Sequence, residues 1–143
     1  MKPYRATNSP GSIPTTNATK ADLGIILDRL LQATVNTWNG LLAATRSEMA
    51  FRQELVVLAL SVPLAFFIGS ENWKPLTLIA VVLMVLVVEL LNTTIEKLSD
   101  FVAPGRDERI GRIKDMGSAA VGLAITAAGL IWLQAIAQRF GWF

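Results

Sequence analysis

The chain has 143 residues, 52 % of them hydrophobic, and a formal net charge of +2. That length holds one domain, and a charge so small gives no case for a nucleic-acid partner. Cysteine and histidine are both absent, which excludes disulfides, thiol catalysis and the usual zinc site. Proton chemistry is left to carboxylates, lysine or bound water, and any metal must be a hard, oxygen-liganded cation such as magnesium.

Residues 1–21 open with MKPYRATNSPGSIPTTNATK, rich in Pro, Ser, Thr and Asn and without an apolar run. They read as a disordered tail, and not as a signal peptide, which needs an apolar h-region. The triplet Asn17-Ala18-Thr19 matches a glycosylation sequon, a pattern common by chance and discarded here.

From 22 to 46 the pattern becomes helical. Leu23, Ile26, Leu27, Leu30, Leu31, Trp38, Leu41 and Leu42 recur at steps of three and four, with Asp28, Arg29, Gln32, Asn36 and Asn39 mainly between them. The segment is too polar to span a bilayer and reads as an amphipathic helix lying in the membrane interface.

Three apolar stretches follow, and they predict transmembrane helices at about 50–69, 76–99 and 115–138. A helix needs about 20 apolar residues to cross ~30 Å of hydrocarbon. The first contains Pro63, the second is apolar over Leu76–Leu91 except for Glu89, and the third is rich in Gly, Ala and Ser, which marks close packing. The expected class is all-α and integral to a membrane, with residues 22–143 forming the membrane domain. Lysine and arginine gather in the N-terminal region and in residues 97–116, read as the second loop. By the positive-inside rule both face the cytoplasm, while 70–75 and the C-terminus face outward. Trp73 and Trp142 fit an aromatic belt on the outer side.

The groups that carry chemistry fall in three clusters. In VELLNTTIEKLSD (88–100), Glu89, Asn92, Glu96 and Asp100 stand at i, i+3, i+7 and i+11 and share one helical face. Glu89 lies ~10 Å deeper than Glu96 at 1.5 Å of rise per residue. A charge at that depth is costly in hydrocarbon and must face protein or a polar cleft, where it suits proton transfer. Asp100 reads as ordinary surface. In SEMAFRQEL, Glu48 and Arg52 are four apart and share a face, while Glu54 points elsewhere. In GRIKDMGSAAV (111–121), Lys114 and Ser118 are four apart, Asp115 adjoins them, and Gly117 allows close approach. Lys114 either neutralises phosphate oxygens or snorkels to the interface. No glycine-rich phosphate loop occurs, so a nucleotide would be held by helix side chains. Carboxylates and a lysine converging at the cytoplasmic edge of a small bundle outline a lipid phosphotransfer site.

At EMAFRQE (48–54), VELLNTTIEKLSD and GRIKDMGSAAV the chain resembles the prokaryotic diacylglycerol kinase family. The resemblance runs from about Arg29 to Phe140. It implies a homotrimer in the bacterial inner membrane, with an interfacial N-terminal helix and active sites shared between chains. It also implies transfer of the ATP γ-phosphate to diacylglycerol, giving phosphatidate. On this resemblance Glu89 is the general base, and Glu48 and Glu96 hold Mg2+. Arg29, Glu48, Asn92, Glu96, Lys114 and Asp115 contact ATP or order its site. Arg29, Arg52, Glu54, Glu89, Ser118 and Trp132 meet the lipid. Two departures touch the nucleotide: Asn36 stands where relatives commonly carry Tyr, and APGRDE (103–108) lacks their Tyr-His. Two other functions remain open at this point. One is an undecaprenol kinase of the same family, against which Met-Gly-Ser at 116–118 argues. The other is a small oligomeric proton or cation transporter using Glu89.

Overall fold

The structure, a computed structural model, describes residues 16–69, 71 and 73–142, with burial and side chains from residue 22 onward. Four helices follow one another: α1 Thr16–Ser47, α2 Met49–Ile68, α3 Lys74–Val102 and α4 Glu108–Arg139. Among the described residues there is no strand. The chain forms two compact units, residues 1–42 and 43–143.

α1 begins at Thr16, earlier than the expected start at 22. Ser, Thr and Asn favour helix starts, and Ala18, Lys20 and Ala21 are good helix formers, so part of the supposed tail can join the helix. The rest of that tail, residues 1–15, lies outside the described residues.

α2, α3 and α4 are each long and apolar enough to cross a membrane. The chain is an all-helical membrane protein. Pro63 sits inside α2, where it removes one backbone donor, a loss that membrane helices absorb. Two residues before it, the Ser61 hydroxyl donates to Leu58 O at 2.8 Å.

The connections are short. Gly69 N donates to Ala65 O at 2.8 Å, and Pro75 occupies the first turn of α3, where its missing N–H costs nothing. The two meet closely, since a Cβ on Gly69 would lie 2.6 Å from Pro75 Cδ. α3 continues to Val102 and α4 starts at Glu108, so the break is confined to 103–107, not the 97–116 read as a loop. Hydropathy marks where the apolar band stops, whereas charged residues remain good helix formers beyond it. The true punctuation is Pro104, Gly105 and the cap Asp107, whose carboxylate accepts from Arg109 N at 2.8 Å.

α3 is the shared element. One cluster joins Ala44 and Phe51 to Val82 and Leu86, and a second joins Ala65 and Ile68 to Leu78. Trp132 of α4 packs against both, and its indole N–H donates to Leu78 O at 3.2 Å. α3 packs against α2 and α4, which themselves meet only sparsely. At the far ends of those two helices, Arg139 Nε donates to Phe67 O at 3.3 Å, with the guanidinium 5.5 Å from the Phe67 ring. Large apolar side chains such as Phe66, Met84, Leu123 and Leu133 remain exposed, as a surface meeting lipid or another subunit requires.

Candidate active site

The acidic face of α3 is graded by depth. Glu89 is 7 % exposed and Asn92 8 %; Glu96 is half-buried and Asp100 exposed. Asn92 Nδ2 donates to Glu96 Oε1 at 3.2 Å, which fixes the orientation of both side chains. Asn92 Oδ1 is buried without a hydrogen-bond partner. It lies against Gly117 so closely that a Cβ there would collide with it. The small residue at 117 therefore lets α4 seat on the polar face of α3.

Glu48 reaches this region from another direction. Its backbone is extended, with φ −112 and ψ 121, and it caps α2 from outside the helix. The helical face expected to join it to Arg52 is therefore absent, because the chain breaks at Glu48 itself. Arg52 is exposed on α2. The Glu48 carboxylate instead pairs with Lys97 Nζ at 2.7 Å and accepts from the Ser47 hydroxyl at 2.9 Å. The Lys97 ammonium, then the Ser47 hydroxyl, hold its pKa below the usual carboxylate value. Lys97 directly follows Glu96 in sequence, so Glu48 is drawn to the same stretch of α3. Glu89 lies within electrostatic reach of both Glu96 and Glu48.

Beside these carboxylates opens an apolar groove of ≈ 450 Å³, lined by Glu54, Ser61, Val82, Leu86, Ala128 and Trp132 among others. Glu54 is half-buried, its Oε2 has no partner, and it senses the charge of Glu89. A buried acceptor in the wall of an apolar slot suits a molecule with a hydroxylated head and hydrocarbon tails.

Lys114 pairs with Asp100 at 2.5 Å. This gives Asp100 a partner, whereas the sequence alone presents it as an ordinary surface charge. Asp115 lines a second, polar concavity with Arg106, Asp107, Glu108, Gly111 and Arg112. Ser118 is exposed one turn beyond Lys114. Arg29 and Asn36 belong to the first unit, and all other residues of the expected site to the second.

The donor set fits a hard cation. Glu48, Glu96 and Ser47 offer oxygen only, and Asn92 Oδ1 is a further acceptor without a partner. Among the described residues no group of three or more His, Cys, Asp or Glu forms a metal cluster. Magnesium is commonly held by one or two carboxylates with substrate phosphates completing its shell, so a two-carboxylate arrangement suffices.

Three contributors escaped the sequence reading. From the sequence Lys97 reads only as a loop charge, and its meeting with Glu48 follows from the packing of α3. Ser47 and Ser61 had no signal, since a serine in a helical run is ordinary.

A model of the prokaryotic diacylglycerol kinase family matches residues 35–136. The chain is 40 % identical over 113 residues to the diacylglycerol kinase of Escherichia coli (strain K12), covering 79 % of this chain and 93 % of that one. The diacylglycerol kinase of Haemophilus influenzae is 37 % identical over 106 residues, 74 % of this chain and 90 % of its own. That of Pseudomonas aeruginosa is 41 % identical over 106 residues, with 74 % and 86 % covered. All three clusters fall inside the matched stretch, and on these matches the chain belongs to the prokaryotic diacylglycerol kinase family.

Proposed function

We propose that this chain transfers the γ-phosphoryl group of ATP to the free hydroxyl of diacylglycerol in the membrane, yielding phosphatidate and ADP. The observation that carries the reading is Glu89, a carboxylate 7 % exposed inside a membrane helix, within electrostatic reach of Glu54 at an apolar groove. Glu89 accepts the hydroxyl proton as the oxygen forms its bond to the γ-phosphorus, and the bond from that phosphorus to the β–γ bridging oxygen breaks. Membership of the family supports the substrate, since the relatives are diacylglycerol kinases. The names of those relatives weigh against a polyprenol kinase, and membership of the family weighs against a transporter.

Glu48 and Glu96 would hold Mg2+, which supplies charge neutralisation on the phosphates. Asn92 orients Glu96. Lys114, Asp115 and Arg29 are assigned to ATP, and Arg52, Glu54, Ser118 and Trp132 to the lipid. α1 lies in the membrane interface, with the N-terminus on the cytoplasmic side of the bacterial inner membrane and residues 22–143 as the kinase domain. The assembly is a homotrimer whose sites combine helices of neighbouring chains. Support for that comes from the exposed apolar surface of α4 and from open space around Gly122 and Gly129.

The test is purified protein in lipid supplied with ATP, magnesium, diacylglycerol and undecaprenol. Phosphatidate is the expected product. Its absence sinks the kinase reading, and faster turnover of undecaprenol reassigns the substrate.

A further inference from the structure

Nothing in the reaction above uses Lys97, yet this residue holds the carboxylate to which metal was assigned. Its Nζ lies 2.7 Å from Glu48 Oε1 and donates to Ser47 Oγ at 3.3 Å. Ser47 Oγ in turn donates to the same Glu48 oxygen at 2.9 Å. The three groups form a closed triangle that ties the start of α2 to the functional end of α3.

Two features of the pair matter. Without Lys97, Glu48 would stand uncompensated within electrostatic reach of Glu89, which also senses Glu96, and like charges at such range repel. Yet the Lys97 side chain is 56 % exposed, and an ion pair in that setting is weak. A compact ammonium on a flexible four-carbon stem can leave its partner without moving the helix. Lys114 differs in one decisive respect. Its partner is Asp100, which lies outside the set assigned to metal, so the arrival of a cation does not release it.

We infer that Lys97 is a positioning residue for the metal–nucleotide complex. It holds Glu48 in place while the site is empty, yields that carboxylate to the incoming divalent cation, and turns its freed ammonium to the nucleotide's phosphate oxygens. The inference rests on the reading of Glu48 as a magnesium ligand. Lys97 thus acts with opposite sign on two ligands: it competes with a bare cation and assists a cation that arrives with polyphosphate.

The experiment measures binding, without turnover, on the full chain in lipid bicelles with Mn2+ as a paramagnetic probe. Free and bound Mn2+ are read by electron paramagnetic resonance, with and without a non-hydrolysable ATP analogue. Lys97→Met is expected to tighten Mn2+ alone about two- to fivefold, the worth of an exposed ion pair. It is expected to weaken the Mn2+–analogue complex by a comparable factor, and Lys97→Arg to restore wild-type values for both. In a Glu48→Gln background the tightening should vanish, which separates competition for Glu48 from a general loss of positive charge. If Lys97→Met shifts both affinities in one direction, or neither, while Glu48→Gln weakens Mn2+, the role of Lys97 is overturned and Glu48 stands as ligand. If Glu48→Gln leaves Mn2+ binding unchanged, the metal assignment falls and this inference with it.

Discussion

Replacing the Glu89 carboxylate by an amide keeps its shape and removes its ability to take a proton. Glu89→Gln should therefore lower kcat by about 10²- to 10⁴-fold, with helical content by circular dichroism unchanged; near-full activity would remove Glu89 as base. A second residue-scale expectation concerns Asp107, whose pKa is held low by the Arg109 side chain and then by its backbone N–H. A lowered pKa means that the charged cap is fully present above the ordinary aspartate range and is lost as pH falls through the lowered value. The protection factor of the Arg109 amide, its exchange rate relative to an unstructured chain at the same pH, should fall across that acidic window. Asp107→Asn, still an acceptor at the cap, should abolish the pH dependence while keeping protection. Most of the residue-level site was legible, because Glu89, Asn92 and Glu96 carry helical spacing in their numbers. The partners were less so. That Lys97 meets Glu48 depends on how α2 packs beside α3, which is long-range information no local pattern holds.

At the level of elements, α4 is seated on α3 through the absence of a side chain at 117. Gly117→Ala would drive a methyl group into Asn92 Oδ1, and such overpacking costs about 1–3 kcal/mol. Because Asn92 orients Glu96, turnover should fall along with resistance to denaturant. Asn92→Ala should recover stability in the Gly117→Ala background without recovering activity, a coupling that a double-mutant cycle measures. Strictly additive losses would show that the two residues do not meet. Trp132→Phe, by losing the N–H that reaches Leu78 O, should cost about 0.5–1.5 kcal/mol. Helix existence was readable from the three apolar runs. Helix ends were not, since α3 and α4 both extend through charged residues past the apolar band and are stopped by Pro104, Gly105 and Asp107.

For the whole molecule, α4 carries an apolar flank, with Leu123, Leu130 and Leu133, that the single chain leaves exposed. A Cβ on Gly122 would meet nothing within 4 Å, so a side chain introduced there starts into open space in the single chain. If that flank forms the trimer contact, Gly122→Leu should reduce the cross-linked trimer in detergent while each chain keeps its helicity. An undiminished trimer would move the interface elsewhere.

α3 has a consequence for how such a protein can change over time. It packs extensively against both α2 and α4, and it also carries Glu89, Asn92 and Glu96. A substitution on its buried faces therefore disturbs two contacts and the chemistry at once, whereas one on α2 or α4 disturbs fewer. Saturation mutagenesis under selection for growth should find α3 the least permissive helix. Sequence drift should accumulate on the outward sides of its neighbours, where Phe66 and Leu123 stand exposed. In so small a chain the capacity to vary is distributed by position in the bundle, with the middle helix as its fixed point.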